Sequence, residues 1–310
     1  TGSLETIGLQ TLPPALLPER IVLLVERRLN RIPAWAQPTL SRLGVAGRLI
    51  DSDLLHYFLP DADEREQWLN VVADAAVIEY GDDGWRFAHD KLREVLISGI
   101  SAETLQQIHS ELATALATLK AEVVRYLPMR LYHLIEAGDS SALAAIAERA
   151  VTYRTLTAPY GEVLPQIDRV LALLPPDANA VRIKLMARKA NTLGLLGRLP
   201  EGESLSAEAI AEAEALGDIA LLGECLNYQM EMNQHHGRFA ENEALAREML
   251  PRFPAETYPV ARGFLLRWYG WALLELGRYR EALEANDECM KVTPPAELIK
   301  NRENSLRLLI

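Results

Sequence analysis

The sequence lacks the features that mark membrane and secreted proteins. Its longest uninterrupted aliphatic run, residues 21–25, is far shorter than the roughly 20 apolar residues that a membrane-spanning helix needs. No charged and then apolar signal segment opens the chain. The two cysteines, Cys225 and Cys289, have no metal-ligand spacing, and two thiols in 310 residues make no disulfide framework. We therefore expect a cytoplasmic protein with reduced, buried cysteines.

An excess of basic residues is also absent. The chain has 43 acidic and 32 basic residues, a formal net charge of −11, and acids outnumber bases on both sides of residue 120. Because binding to a phosphate backbone depends on clustered lysine and arginine, we do not expect the surface as a whole to bind nucleic acid.

Catalytic signatures are missing as well. The phosphate-binding pattern Gly-x-x-x-x-Gly-Lys-Ser/Thr occurs nowhere in the 310 residues, so nucleotide hydrolysis is not predicted. No Ser-His-Asp or Cys-His grouping stands in a recognisable context. His235 and His236 are adjacent and have no third ligand at suitable spacing. We expect a non-enzymatic protein without a cofactor or a metal.

The clearest positive signal is an internal repeat. The segments Leu196–Leu199, His236–Phe239 and Leu276–Tyr279 share a central Gly-Arg and recur every 40 residues. Apolar residues at helical spacing precede and follow each one. Each segment therefore predicts a glycine turn between two antiparallel helices, since glycine readily adopts the positive φ that ends a helix.

The sequence inside these units resembles the tetratricopeptide repeat. The last unit has small residues at Gly270, Ala282 and Cys289, with Leu273 and Tyr279 between them, so its helices can approach closely. The first unit keeps small residues at Ala190, Gly202 and Ala209. The middle unit is degenerate, because Met230 and Asn242 stand where small residues belong. Weaker helix pairs are predicted upstream, over 140–155 with 160–174 and over 123–137.

The first 120 residues follow a different pattern. Helical spacing is predicted over 18–30, 35–45, 52–59 and 63–76, with Asp51 as one helix cap. Two short extended pieces, 77–80 and 85–87, flank the turn sequence Gly-Asp-Asp-Gly. A further helix is predicted after Asp90, which is placed as its N-cap. Helices followed by a small hairpin predict a winged-helix-like domain.

The stretch from Trp85 to Leu96, followed by repeats, resembles the winged-helix segment of STAND-type signalling ATPases. These include bacterial regulators of the LuxR and maltose-activator type and, more remotely, the NLR immune receptors. The resemblance covers the chain only as the C-terminal portion of such a protein. It implies an upstream ATPase domain as a possible partner and implies that His89 and Asp90 sense its nucleotide. The alternative is that Asp90 caps a helix and that His89 packs against the hairpin.

These observations predict an all-α protein: a linker over 1–17, a helical arm and winged-helix-like domain over 18–120, and a tetratricopeptide-like superhelix over 121–310. The chain stops at Leu308–Ile310, inside what is predicted to be a further first helix, so we expect an excerpt of a longer protein. DNA binding by the winged-helix segment is not expected, because five acids lie in or beside its candidate recognition helix against the lone Arg65.

The predicted function is binding of a protein, a peptide or a small effector in the concave groove of the repeats. Superposing the three units on the repeat pattern puts ten residues on the groove side of the first helices: Lys184, Ala187, Asn191, Glu224, Asn227, Glu231, Gln234, Arg267, Trp271 and Glu275. Trp271 is the predicted anchor, with burial by the next repeat as the alternative. A structural adaptor or oligomerisation scaffold is the alternative function for the whole chain.

Overall fold

The computed structural model describes residues 19–120 and 123–293 of the chain. The predicted linker over 1–17 and the predicted helix at the C-terminal end lie outside these residues. The described part is all-α apart from one hairpin, as predicted. The chain divides into two units, Thr1–Leu143 and Ala144–Ile310. The division falls later than the predicted start of the repeats at residue 121.

The described residues of the first unit form seven helices, two strands and the start of an eighth helix. In chain order these are α1 (Glu19–Leu29), α2 (Gln37–Ala46), α3 (Ser52–Phe58), α4 (Ala62–Asp74), β1 (Ile78–Gly81), β2 (Gly84–Phe87), α5 (Asp90–Ser98), α6 (Ala102–Lys120), α7 (Leu127–Ala137) and α8 (Ser140–Thr157). A short 3₁₀ turn, Val124–Tyr126, precedes α7.

An apolar cluster that includes Trp68 and Phe87 lies at the centre of the helices and hairpin up to α6. Trp68 on α4 is fully buried, and its indole Nε1 donates to the carbonyl oxygen of Ala36 at 3.0 Å, which satisfies the polar atom that burial would otherwise leave unpaired. Phe87 at the end of β2 is also fully buried. The predicted cap at Asp51 is confirmed, because its carboxylate accepts from the backbone N–H groups of Asp53 and Leu54.

The hairpin forms where the sequence predicts it. Strands β1 and β2 are antiparallel, with Ile78 opposite Phe87 and Gly81 opposite Gly84. Gly84 has a φ of 101°, a conformation that a side chain disfavours. The Gly-Asp-Asp-Gly turn therefore depends on its second glycine.

Two buried histidines join α6 to α7. His109 and His133 are 4% and 1% exposed, and their Nδ1 atoms lie 2.8 Å apart. One ring must donate to the other, so both cannot be protonated at these positions. Burial and the neighbouring His109 lower the pKa of His133 to about 3, and burial also lowers the pKa of His109.

The first unit should therefore lose stability in mild acid. Below pH 6.5 the unfolded chain takes up a proton that folded His133 does not bind, so stability falls as the pH drops from 6.5 towards 3. We expect the free energy of unfolding to fall by about 2 kcal/mol between pH 6.5 and 5 from this residue alone. Urea unfolding followed by circular dichroism across this range measures it.

The matched variants are His133→Gln, which removes the titrating group, and His56→Gln, which removes the exposed imidazole of His56. His133→Gln should be less stable at pH 7 but should flatten the pH dependence, whereas His56→Gln should leave it as in the wild type. An unchanged slope in His133→Gln would contradict the assignment.

The second unit continues with helix pairs. Its helices after α8 are α9 (Tyr160–Leu173), α10 (Asn179–Leu195), α11 (Leu199–Leu216), α12 (Ile219–His235), α13 (Phe239–Met249), α14 (Pro259–Glu275) and α15 (Tyr279–Val292). A 3₁₀ turn, Leu250–Arg252, follows α13. The predicted pair over 140–155 and 160–174 corresponds to α8 and α9.

The three predicted glycine turns have the same hydrogen bonds. Gly197, Gly237 and Gly277 have φ values of 79°, 70° and 76°. In each turn the glycine N–H donates to the carbonyl three residues back, and the following arginine N–H donates to the carbonyl five residues back at 2.9 Å. This arrangement is the Schellman motif, which terminates a helix through a left-handed residue. The 40-residue repeat in the sequence thus corresponds to a helix-ending turn that recurs with the same backbone conformation.

The arginine after each glycine also links the units. The Arg198, Arg238 and Arg278 side chains each pair with the glutamate three residues later. Arg238 further bonds Glu203, and Arg278 bonds Glu243 at 2.8 Å. These two glutamates are themselves 40 residues apart, so the same ion pair joins successive second helices.

The middle unit accommodates Asn242 through buried hydrogen bonds. Asn242 is fully buried; its amide nitrogen donates to the Met230 carbonyl at 2.8 Å, and its oxygen accepts from Asn233 at 3.0 Å. The helices approach closely enough here for a side chain to bridge them, at the position that Gly202 and Ala282 occupy in the other two units. In the middle unit, a buried hydrogen-bonded asparagine therefore replaces the small residue through which the two helices contact each other in the other units.

Truncating this bridge should be costly. Asn242→Ala leaves the Asn233 amide and the Met230 carbonyl buried without their partner, so we expect a loss of about 2 kcal/mol in the free energy of unfolding. Asn70→Ala, at an exposed helical asparagine, is the control and should change stability by less than about 0.5 kcal/mol. Urea denaturation measures both, and equal effects would show that the bridge contributes nothing.

Candidate functional site

The first helices of the three units, α10, α12 and α14, pack side by side, α10 on α12 and α12 on α14. Equivalent positions in neighbouring helices, 40 residues apart, touch one another. Lys184 bonds Glu224, Arg188 bonds Tyr228, and Asn227 bonds Arg267. We refer to the side of α10, α12 and α14 that carries these side chains as the first-helix face.

At the α10 end of the face, Lys184 is half-buried between two carboxylates. Its Nζ lies 2.9 Å from Glu224 and 3.3 Å from Glu148 on α8. Burial alone would lower the pKa of Lys184, but its hydrogen bonds to the two glutamates and their charges raise it above the usual value. The charge of Lys184 is therefore compensated within the protein.

The middle of the face is built on Arg188 and Tyr228. The guanidinium of Arg188 lies over the ring of Tyr228, 4.4 Å from its centroid, and also bonds the tyrosine hydroxyl and Thr155 Oγ1. Burial raises the pKa of the Tyr228 hydroxyl. Asn191, close to one turn on from Arg188, is buried and donates to the Tyr228 carbonyl oxygen at 3.2 Å. These contacts fix the register of α12 on α10.

At the α14 end an aromatic stack is anchored by Asn227. The Asn227 side-chain oxygen accepts from Arg267 at 2.8 Å and from the Trp268 indole at 2.9 Å. Arg267 also covers the Trp268 ring at 4.6 Å. Trp271 stacks on Trp268 with centroids 5.7 Å apart and planes 18° apart, and its Nε1 donates to Glu275 at 3.1 Å.

The eight predicted ligand-contact residues fall into three burial classes. Asn191 and Gln234 are buried, 6% and 9% exposed, so Asn191 holds two helices together rather than facing solvent. Lys184, Asn227, Glu231, Arg267 and Trp271 are half-buried, and Glu275 is exposed. The predicted face residue Ala187 is buried at 1% exposure.

Sequence reasoning missed three residues that organise this face. Arg188, Tyr228 and Trp268 are equivalent positions, 40 residues apart, and each carries a planar polar side chain. Aligning the repeats as columns would have singled them out, because such side chains in one column of adjacent helices can stack.

The His89-Asp90 pair lies at the start of α5, and its capping was predicted wrongly. His89, not Asp90, is the N-cap: its Nδ1 accepts from the Lys91 N–H at 3.1 Å. Asp90 is the first helical residue and pairs with Arg48 at 3.3 Å. His89 is exposed to solvent.

Helix α4, the candidate recognition helix, presents acids to solvent. A shallow concavity on it is lined by three acids and three other residues: Asp63, Glu66, Asp74, Gln67, Asn70 and Val71. The single arginine, Arg65, donates to the carbonyls of Leu59 and Pro60. The acids on this surface disfavour contact with a phosphate backbone.

The histidines and acids of the described residues do not assemble into a metal site. No group of three or more potential ligands is close enough to hold a metal ion there. His236 Nε2 lies 3.1 Å from the Gly194 carbonyl oxygen, so this imidazole links the end of α12 to α10. Among the described helices none has the length and apolarity to cross a bilayer.

Comparison with models of protein families and with curated proteins gives no match to this sequence.

The two stacked tryptophans should differ in their contribution to stability. Trp268 is 6% exposed and hydrogen-bonded, whereas Trp271 is half-buried. Trp268→Ala should lower the free energy of unfolding by about 4 kcal/mol, and Trp271→Ala by about half as much or less. Urea denaturation of the two variants gives both values. Equal losses would make Trp271 a core residue and remove it as a binding anchor.

Proposed function

We propose that this chain is a non-enzymatic protein-interaction and regulatory sensor module. In this proposal the second unit is a tetratricopeptide-like superhelix that binds a protein or peptide on the first-helix face. The first unit is a winged-helix-like domain, and the chain is the C-terminal part of a larger STAND-type signalling or transcription-regulating ATPase.

The observation that carries the proposal is the stack of Trp268 and Trp271. A half-buried indole held by a second ring and by Glu275 is already rigid, so little conformational entropy is lost when a partner covers it. Tryptophan and arginine are enriched among the few residues that supply most binding energy at protein interfaces. Arg267 lies against the same stack.

The rest of the first-helix face supports specific rather than general binding. Its polar side chains are fixed by hydrogen bonds between neighbouring helices, as Lys184 and Arg188 illustrate. Fixed polar groups reject partners that leave them unpaired. A small effector is the less supported ligand, because the polar groups of this face are spread along three helices.

For the first unit we propose contact with the upstream ATPase domain. The exposed His89 has one ring nitrogen engaged with the Lys91 N–H, and its other nitrogen can donate to an anion. Nothing on α4 supports DNA binding as the role of this unit.

A structural adaptor or oligomerisation scaffold is the second candidate. Tyr279 and Leu283, one turn apart on α15, are 64% and 43% exposed, and exposed apolar side chains on one helix face can join copies of a chain. Sedimentation velocity tests it: a dimer that dissociates in Tyr279→Glu would favour this candidate.

The peptide-binding proposal is tested by selecting a random peptide library on the immobilised chain and measuring the affinities of the selected peptides by fluorescence anisotropy. Trp271→Ala should weaken binding at least about tenfold while the circular dichroism spectrum stays that of the wild type. Trp35→Ala, which removes a 47% exposed tryptophan of the first unit, is the matched control and should not change affinity. Failure to enrich any peptide, or equal losses in both variants, would reject the proposal.

A further inference from the structure

The solvent side of α1 carries leucines and arginines. Leu23 and Leu24 are 53% and 58% exposed, and Arg27 and Arg31 are exposed too. Within the described part of the chain neither arginine forms an ion pair or donates a side-chain hydrogen bond. Arginine is enriched at protein interfaces, where other charged residues are depleted. Exposed leucines beside unpaired arginines therefore have the composition of a contact surface.

This side of α1 borders the C-terminal end of α4. Arg28 Nη1 donates to the carbonyl oxygen of Ala76 at 3.1 Å, and Ala76 closely follows Asp74, the last residue of α4. Leu24 lies one turn before Arg28, and the N–H of Arg31 bonds the Arg28 carbonyl oxygen at 3.1 Å. These three residues share one face of α1, so its arginines lie beside the end of α4.

The solvent side of α4 has the opposite charge. The concavity on this helix is lined by Asp63, Glu66 and Asp74, and residues at these spacings lie on one helix face. None of the three carboxylates forms an ion pair with a base among the residues that the structure describes. We call these acids, together with Leu23, Leu24, Arg27 and Arg31, the α1–α4 surface. It has a basic half and an acidic half within one unit.

The α1–α4 surface is complementary to itself. A two-fold axis between two copies sets the basic half of each copy against the acidic half of the other, so that both contacts form at once. A nucleic acid would meet the acids of α4 beside the arginines, which disfavours it. An unrelated acidic protein would pair with α1 alone and would leave α4 beside like charge. Charge complementarity therefore favours a second copy of the chain as the partner.

We propose that the α1–α4 surface binds a second copy of this chain across a two-fold axis. The inference goes beyond the proposed function, because it concerns the first unit and does not involve the first-helix face. In this dimer the carboxylates of α4 accept hydrogen bonds from the arginines of the other copy's α1, while Leu23 and Leu24 lose contact with water. Exposed ion pairs contribute little free energy each. The leucines therefore supply most of the affinity, and the charges set the orientation.

Sedimentation velocity of the full chain over about 1 to 100 µM tests the dimer, since this range covers weak, micromolar association. Arg27→Glu with Arg31→Glu gives α1 the charge of α4. Glu66→Lys with Asp74→Lys gives α4 the charge of α1. Each double variant alone should dimerise at least about tenfold more weakly, because like charges then face each other. An equimolar mixture of the two variants should dimerise as the wild type does, because every reversed half meets its complement.

Glu208→Lys with Glu284→Lys is the matched control, because it removes two exposed carboxylates of the second unit and changes the net charge as the α4 variant does. It should dimerise like the wild type, and circular dichroism should show that every variant is folded. A monomeric wild type, or a mixture of folded variants that stays monomeric, would overturn the inference. A dimer that dissociates in Tyr279→Glu but not in the α1 variant would also overturn it, in favour of association through α15. None of these results bears on peptide binding by the first-helix face.

Discussion

The left-handed glycine that ends each first helix is the constraint on which the second unit depends. With φ near 75°, the residue turns the chain so that the next N–H bonds a carbonyl five residues back, and the second helix begins at once. Three turns with the same hydrogen bonds start three second helices in the same way, although α12 and α13 approach each other less closely than the helices of the other two pairs. Stacking such pairs brings equivalent residues of successive first helices into contact, so a position in one unit finds its partner 40 residues away.

That relation decides the chemistry of the first-helix face. Lys184 meets Glu224, Arg188 meets Tyr228, and Asn227 meets Arg267, each pair at equivalent positions in adjacent units. Substitution at one position therefore changes the environment of the same position in the neighbouring unit. Where the column changes character, as at Trp271, the side chain bonds within its own helix instead, to Glu275 one turn on.

The sequence predicted the elements better than it predicted the contacts. The glycine turns, the hairpin and the Asp51 cap were predictable, because each depends on a residue type whose backbone preference acts locally. The Asn242 bridge shows in the sequence only as degeneracy, since its partners Met230 and Asn233 are set by how closely two helices approach. The pairing of His109 with His133 depends on packing between α6 and α7, which no local pattern reports.

For the candidate site, too, the sequence predicted which helix a residue lies on but not which side chains it contacts. Placing residues on one face of each first helix needs only the helical period and the repeat spacing, and Trp271, Glu231 and Glu275 were placed in this way. The helical period does not distinguish a residue that bridges two helices from one that faces solvent. For that reason the buried Asn191 was predicted to lie in the groove together with Trp271, Glu231 and Glu275. Distinguishing the two requires the interhelical distance, which side chains on both helices determine together.

The two members of the aromatic stack are held in different ways. Trp268 is buried and gives its indole N–H to Asn227, so its position is fixed by the fold itself. Trp271 rests on that fixed ring and keeps part of its surface exposed, which makes its orientation a consequence of Trp268. Within the described residues the Gln234 side-chain oxygen has no donor, which costs stability in a protein whose whole margin is only about 5 to 15 kcal/mol. Local departures from the rules that stabilise a fold occur at functional or strained sites, and the matched charges on the rest of the face make this departure local.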